Sequence, residues 1–330
     1  MQTAQRKFMM GNEVAAEAAL AAGAEIMFGY PITPTTEVLS HWIKLAQKNN
    51  KKFLQTEDEG AAGFATVGAC LAGKKAFTAT GGPGNILMQD PIVMAESMRI
   101  PFVGLIGQRG GPSTGSVIYS QQEVTLTAFG GNGEGYRIVY SPSSLQELYN
   151  LTIQAFNTAW HHRFPTFVLY DGYLGKMKGE VELRNPGVLI NSKPILEGNV
   201  NFRNCVNLEE EIYEINVNNK KAWDEAALHL AKFEFSPGHS KTLVFAHGIV
   251  AAAAKAVGIN LFRPITLWPF PKHDAKILAK KYEKIAIIES AQGQLGRLVK
   301  EALFGLDIEV QEIYKPALGF TPEEIKGVIE

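Results

Sequence analysis

Apolar residues along the first half of the chain fall into short blocks that alternate between two periodicities. EIMFG, KFLQT, KKAFTAT, IPFVGLIG, YRIVYS and PTFVLYD are brief, apolar and flanked by turn formers, a pattern that predicts strands. Between them NEVAAEAALAAG, closed by Gly23, then EVLSHWIKLAQKN, EGAAGFATVGACLAG and SSLQELYNLTIQAFNTAWHH carry helical spacing. Strands separated by helices predict a mostly parallel sheet with helices on both faces, so the expected class is α/β. The Gly and Ala of EGAAGFATVGACLAG cost helix propensity unless a closely packed neighbour repays it.

From about Met177 to His239 the periodicity weakens, and NPG, NVNFRN and NVNNK have turn-forming composition. Within this stretch NLEEEIYEINVNN and KKAWDEAALHLAKFEF have helix- or strand-forming character. Beyond it KTLVFAHG, GIVAAAAKAVG, INLFRPITLWPF, HDAKILAKKY, EKIAIIES, QLGRLVKEALF and IEVQEIY resume the strand–helix rhythm. The expected division is a first unit over 1–180, a connector over 181–239 and a smaller α/β unit over 240–330.

With 330 residues, 46% of them hydrophobic, the chain is long enough for two cores. A net charge of −1 supplies no basic field for nucleic acid or an anionic membrane. No apolar run reaches the ~20 residues of a transmembrane helix. The N-terminal MQTAQRKFMMGNE turns polar too soon for a secretory h-region, so the expected location is cytoplasmic. Cys70 and Cys205 lie far apart without CxxC partners, so this chain does not itself supply a four-cysteine cluster or zinc site. Two buried, unpaired thiols are expected.

Candidate chemistry concentrates in loops that follow strands, where α/β sheets bind ligands. GYPITPTTEV, residues 29–38, holds Pro31 and Pro34; proline lacks an N–H and has a fixed φ, so the segment is a shaped, hydroxyl-rich turn. QTEDEGAAG places Glu57, Asp58 and Glu59 at a helix start. Glu57 and Asp58 read as acidic residues complementing the helix dipole and capping free N–H groups. Glu59 differs, because it enters a helix made almost wholly of Gly and Ala, where a lone carboxylate faces a close neighbour. TATGGPGN follows a strand but matches neither a Walker A nor a GxGxxG phosphate loop. GQRGGPSTG presents Arg109 among glycines, and a planar guanidinium there suits carboxylate capture. His247 reads as the end of a strand and His273 as the head of a helix.

GYPITPTTE, QTEDEGAA, ATGGPGNILMQD and QRGGPSTG, in that order, with DGYLGKM near residue 171 and INLFRPITLWPFP near residue 260, resemble the alpha subunit of the 2-oxoacid:ferredoxin oxidoreductases. These are thiamine-diphosphate enzymes that oxidatively decarboxylate 2-oxo acids to acyl-CoA. The resemblance covers nearly the whole chain apart from the connector. It implies a pyrimidine-type thiamine-diphosphate domain up to about residue 180 and a transketolase C-terminal-like domain from about 240. It implies cofactor contacts at Glu59 and Pro31, with Glu59 against the aminopyrimidine ring and Glu57, two residues earlier, as the alternative. It further implies that Thr33 hydrogen-bonds the 2-oxo acid and that Arg109 holds its carboxylate.

The family signals its diphosphate and divalent-cation site with GDG and a later Asn-rich element. This chain has YDG at 170–172, which reads as a strand-end turn. The resemblance therefore implies half an active site. A beta-type subunit would carry the diphosphate site with Mg2+ and a 4Fe-4S cluster, and gamma-type and delta-type subunits, ferredoxin and coenzyme A are further implied partners. The favoured acids are 2-oxoglutarate and branched-chain 2-oxo acids, over pyruvate, whose enzymes are often single fused chains. The contrasting class is a non-catalytic α/β scaffold or assembly subunit of such a complex, which would tolerate loss of Glu59, Thr33 and Arg109.

Overall fold

The computed structural model describes residues 5–196 and 205–329, and the NVNFRN segment and the first four residues lie outside that range. In the first half the chain runs β1 (Gln5–Met10), α1 (Gly11–Ala21), β2 (Ile26–Gly29), α2 (Thr36–Lys48), β3 (Lys52–Gln55), α3 (Glu59–Leu71), β4 (Ala76–Thr80), α4 (Pro83–Leu87), α5 (Gln89–Ser97) and β5 (Val103–Gln108). It continues through α6 (Val124–Phe129), β6 (Ile138–Tyr140), α7 (Leu145–His162), β7 (Thr166–Asp171), α8 (Gly172–Lys176) and β8 (Lys178–Leu183). Then follow α9 (Glu209–Leu230), β9 (Phe233–Ser236), β10 (Thr242–Phe245), α10 (Gly248–Ala256), β11 (Leu261–Pro264), β12 (Thr266–Trp268), α11 (Lys272–Ala279), β13 (Lys284–Glu289), α12 (Gln294–Leu303), β14 (Glu309–Tyr314) and α13 (Pro322–Ile329).

Every strand and helix read from the first-half pattern is present, and six of those strands, in the order β6-β7-β5-β4-β2-β3, form one parallel sheet. β12, from the later part of the chain, adds antiparallel beside β6. β9, inside the expected connector, joins a five-stranded sheet ordered β14-β13-β10-β11-β9. The connector also forms the 22-residue helix α9, whose buried face carries Trp223, Ala226 and Leu230. The chain steps outward from β2 to β3 and then back across β2 to β4. Right-handed crossovers therefore put α2 and α3 on opposite faces and open a crevice between the carboxyl ends of β2 and β4.

One face is covered by α1, α2 and α7 around Val14, Trp42, Phe77 and Phe156, with Trp42 edge-on to Phe77 at 4.9 Å. The other face packs α3 and α5 against Ile106, Phe102 and Phe167, and this core continues into Phe245 and Phe262 of the second sheet and Leu295 of α12. The Gly-Ala helix has the close neighbour its composition demands, since a Cβ on Gly63 would lie 2.5 Å from Pro91 Cγ on α5. Cys70 is buried there, its thiol pushed up to about 12 by burial. Cys205 departs from expectation and is exposed, its thiol donating to Asn207 Oδ1 at 3.5 Å.

The two sheets meet through Asp171, the last residue of β7 and the centre of YDG. Its carboxylate accepts from Ile249 N at 2.9 Å and so caps the start of α10, a tie that the strand-end reading did not contain. Burial raises its carboxyl from 3.8 to about 6 against the hydrogen bonds from Ile249 and Gln121. The folded state therefore binds a proton that the unfolded state has released between about pH 4 and 6. Stability from this group is present at low pH and falls as pH rises through that window. Relative to wild type, Asp171→Asn is expected to gain about 3 kcal/mol of unfolding free energy between pH 4 and 6. Urea unfolding at stepped pH measures this, and a pH-independent difference between the two proteins would remove the burial account.

Candidate active site

The carboxyl ends of β3, β2, β4 and β5, side by side in the sheet, deliver the four loops singled out in the sequence. In QTEDEGAAG, Asp58 is the N-cap of α3, its Oδ1 accepting from Ala61 N at 2.7 Å, which is the capping role read from its position. Glu57 is exposed, whereas Glu59, the first residue of the helix, is 4% exposed. The two candidate glutamates thus lie in different environments, and only Glu59 turns inward.

Glu59 Oε1 is buried and makes no hydrogen bond to any described residue; the same holds for Thr80 Oγ1 at the end of β4 and for both amide atoms of Gln108 at the end of β5. Buried polar groups are nearly always paired, so orphaned atoms grouped at strand ends mark a place built for a polar ligand. Gly84, at the start of α4, shows how tight the place is: a Cβ there would lie 2.1 Å from Thr80 Oγ1 and 2.5 Å from Glu59 Oε1. This is the close backbone approach for which TATGGPGN is suited. Burial holds the Glu59 carboxyl above the usual range; negative Asp58 adds to this, while a backbone N–H and Arg109 oppose it. Thiamine diphosphate would fit this donor set at its aminopyrimidine end, because a buried carboxyl oxygen with no hydrogen-bond partner among the described residues suits a ring nitrogen.

Arg109 is 6% exposed, and its side chain crosses from the β5 loop to the PITP turn. Nε donates to Ser116 O at 2.6 Å and Nη1 to Thr33 O at 3.3 Å. No hydrogen bond among the described residues engages Nη2 or Thr33 Oγ1, so a guanidinium edge and a hydroxyl remain for a ligand. The structure therefore brings Thr33 and Arg109 together by main-chain contact, as neighbours at one crevice.

The turn is held from below by residues the sequence reading did not select. Asn12, fully buried at the start of α1, donates from Nδ2 to Pro34 O at 2.6 Å and to Glu37 Oε2 at 2.8 Å, and its Oδ1 accepts from Tyr170 Oη at 2.9 Å. Lys176 donates to the other Glu37 oxygen. Pro31 lies at the exposed lip of the same turn. The accessible signal was GNE immediately after a short apolar run, which places a polar residue at a helix start among core alanines.

Glu123 is the second omission. Its Oε1 accepts from Gly82 N at 2.9 Å and Asn85 Nδ2 at 3.0 Å, and its Oε2 from Arg109 N at 2.7 Å. Complete burial pushes its carboxyl up to about 7 despite these donors. His247 stands apart from this crevice as the N-cap residue of α10; it is buried, with Nδ1 3.0 Å from Ser141 Oγ, and burial lowers it to about 3. His273 lies in the first turn of α11, as its HDA context suggested.

Residues 17–252 match the family described as pyruvate flavodoxin/ferredoxin oxidoreductase, thiamine diP-bdg, and residues 241–324 match pyruvate:ferredoxin oxidoreductase core domain II. The 2-oxoglutarate synthase subunit KorA of Methanocaldococcus jannaschii is 41% identical over 57% of this chain, which spans about half of that protein (51%). The ketoisovalerate oxidoreductase subunit VorB of Methanothermobacter marburgensis is 30% identical over 92% of each chain. Both relatives are named as subunits, one of a 2-oxoglutarate synthase and the other of a ketoisovalerate oxidoreductase. The solved structure of 2-oxoglutarate:ferredoxin oxidoreductase from Magnetococcus marinus, with 2-oxoglutarate, coenzyme A and succinyl-CoA bound, superposes with a TM-score of 0.89 at 26% identity, covering 98% of this chain and 64% of that one. A split-gene transketolase shares the fold, with a TM-score of 0.61 at 14% identity. The first match takes in the whole parallel sheet from β2 to β7 and every loop of the crevice, and the chain belongs to the pyruvate flavodoxin/ferredoxin oxidoreductase family.

Proposed function

We propose that this chain is the alpha-type subunit of a 2-oxoacid:ferredoxin oxidoreductase. The complex would convert a 2-oxo acid and coenzyme A to acyl-CoA and carbon dioxide with reduction of ferredoxin. The observation that carries this reading is the buried Glu59 carboxyl, unpartnered at Oε1 beside Thr80 and Gly84, with Arg109 and Thr33 on the adjoining loops. Thiamine diphosphate, when bound, supplies an acidic thiazolium carbon that adds to the keto group and accepts the electrons released on decarboxylation.

The residues of this chain then divide the work. Glu59, its carboxyl held above the usual range by burial, would hold a proton at the carboxyl and hydrogen-bond a nitrogen of the aminopyrimidine ring. Pro31 contacts the cofactor from the lip of the turn. Arg109 fixes the 2-oxo acid by its carboxylate, and Thr33 Oγ1 hydrogen-bonds the acid and sets its orientation. Gly84, without a Cβ, leaves the Thr80 hydroxyl and the Glu59 carboxyl the space they occupy. The pyrimidine-type unit ends near residue 180, the connector spans 181–239, and the transketolase C-terminal-like unit runs from 240.

The diphosphate with Mg2+ and a 4Fe-4S cluster belong to a beta-type partner, since YDG serves here as a cap for α10. Gamma- and delta-type subunits complete the assembly, which works in the cytoplasm. The preferred acids are 2-oxoglutarate and branched-chain 2-oxo acids, a preference supported by the 2-oxoglutarate and ketoisovalerate that appear in the names of the KorA and VorB relatives. The test is reduction of a low-potential dye by the anaerobically co-purified complex, with coenzyme A and a panel of 2-oxo acids. Reduction that requires both coenzyme A and one acid of the panel is expected. No reduction with any acid would favour an assembly subunit that keeps the fold without the chemistry.

A further inference from the structure

Glu123 has a geometry that capping and core packing do not require. It is 3% exposed, and both of its oxygens accept hydrogen bonds from loops that are distant in sequence: Oε1 from Gly82 N and Asn85 Nδ2, Oε2 from Arg109 N. Burying a carboxylate is costly unless its oxygens are well paired. A glutamine would present one acceptor and one donor, and the donor would face a backbone N–H. Only a carboxylate can accept from both loops at once, which ties the wall carrying Gly84 to the wall carrying Arg109.

The segment around Glu123 is in turn held by the second sheet. On one side Ser120 Oγ donates to Ser290 O at 2.5 Å, Gln121 N donates to the same oxygen at 2.9 Å, and Ser290 N donates to Gln121 Oε1 at 3.0 Å. On the other side Thr125 N and Oγ1 both donate to Gln294 Oε1, at 3.0 and 2.6 Å. Glu123 thus sits in a strap fastened at both ends to the loop after β13 and the start of α12.

We infer that Glu123 is a positioning residue for the 2-oxo acid: it fixes the Arg109 backbone against the glycine loop, anchored by the second unit. This rests on the reading of Arg109 as the carboxylate-holding residue. Glu123 acts through Arg109 and touches no substrate itself; a glutamine that keeps its oxygen toward Gly82 N and Asn85 Nδ2 loses the acceptor for Arg109 N, which loosens the arginine and leaves the Glu59 side of the crevice in place.

A double-mutant cycle in the co-purified complex tests this. Glu123→Gln is expected to raise the KM for the 2-oxo acid by about 10-fold or more, with thiamine diphosphate affinity changed by less than about 2-fold. In an Arg109→Ala background the same substitution is expected to leave the KM unchanged. Hydrogen exchange gives a readout independent of turnover: the peptide over 105–110 should exchange faster in Glu123→Gln, with peptides of α3 unaffected. If Glu123→Gln does not assemble, Glu123→Asp keeps two acceptor oxygens and carries the same cycle. An equal KM rise in both backgrounds, no rise in either, or a parallel loss of thiamine diphosphate affinity would each overturn the inference. An Arg109→Ala protein with unchanged KM would instead show that the underlying reading of Arg109 has failed, and the inference would fall with it.

Discussion

Replacing Glu59 by glutamine is expected to lower kcat of the assembled complex by ~10²–10⁴-fold while the KM for the 2-oxo acid stays within about 3-fold. Gln keeps the volume of the side chain in a space where Gly84 already stands at the limit of approach, so packing is preserved. It removes the one property that burial tunes, a titrating carboxyl held above its usual range. A carboxamide also offers a fixed donor where the carboxyl can donate or accept. Glu57→Gln, two residues away and exposed, is expected to keep kcat within about 2-fold, because surface substitutions away from special contacts change little. Steady-state kinetics of the two variants side by side decide between the glutamates. Loss of activity in the Glu57 variant with retention in the Glu59 variant would reverse the assignment.

Arg109→Lys is expected to raise the KM for the 2-oxo acid by ~10–100-fold, with a smaller change in kcat. Lysine keeps the charge but loses the planar fork, and charge-assisted hydrogen bonds of this kind contribute about 1.5–3 kcal/mol. The guanidinium is also structural, since Nε and Nη1 hold Ser116 O and Thr33 O, so the ammonium cannot reach both carbonyls and still present a free edge. Loosening the PITP turn should add to the effect by releasing Thr33. Initial rates across substrate concentration measure it. An unchanged KM together with a lowered kcat would place Arg109 in the chemical step and not in carboxylate capture.

The paired outcome discriminates the catalytic reading from an assembly role. A scaffold subunit has no reason to lose turnover at Glu59 and substrate affinity at Arg109 in separable ways. Both side chains are buried, so isosteric or charge-conserving variants with KM and kcat read separately distinguish lost chemistry from lost folding.

Along the chain, periodicity alone determined the six strands of the parallel sheet, the helices between them and the α/β class, because buried strands and amphipathic helices leave contiguous, short-range patterns. The four functional loops were legible for a similar reason: proline, glycine and isolated charge are local departures from those patterns. β1 and β8 were not legible. They pair with each other across most of the first unit, and a two-stranded ribbon with exposed residues such as Phe8 has no burial pattern to betray it. Nor was the exchange of strands between units, in which β12 joins the first sheet, because antiparallel pairing of Thr266 with Tyr140 depends on where the chain returns and not on composition.

The sequence by itself determined which loops could carry chemistry and that Glu59 enters a helix of small residues. Tertiary structure decided that Glu59 turns inward while Glu57 stays exposed, that Arg109 meets Thr33, and that Asn12, Glu123 and Asp171 hold the surroundings in place. The physical reason is the range of the interactions. Periodicity and turn chemistry are encoded within a few residues, whereas desolvation of a carboxyl and the pairing of its oxygens are set by groups that only the folded chain brings within hydrogen-bonding distance.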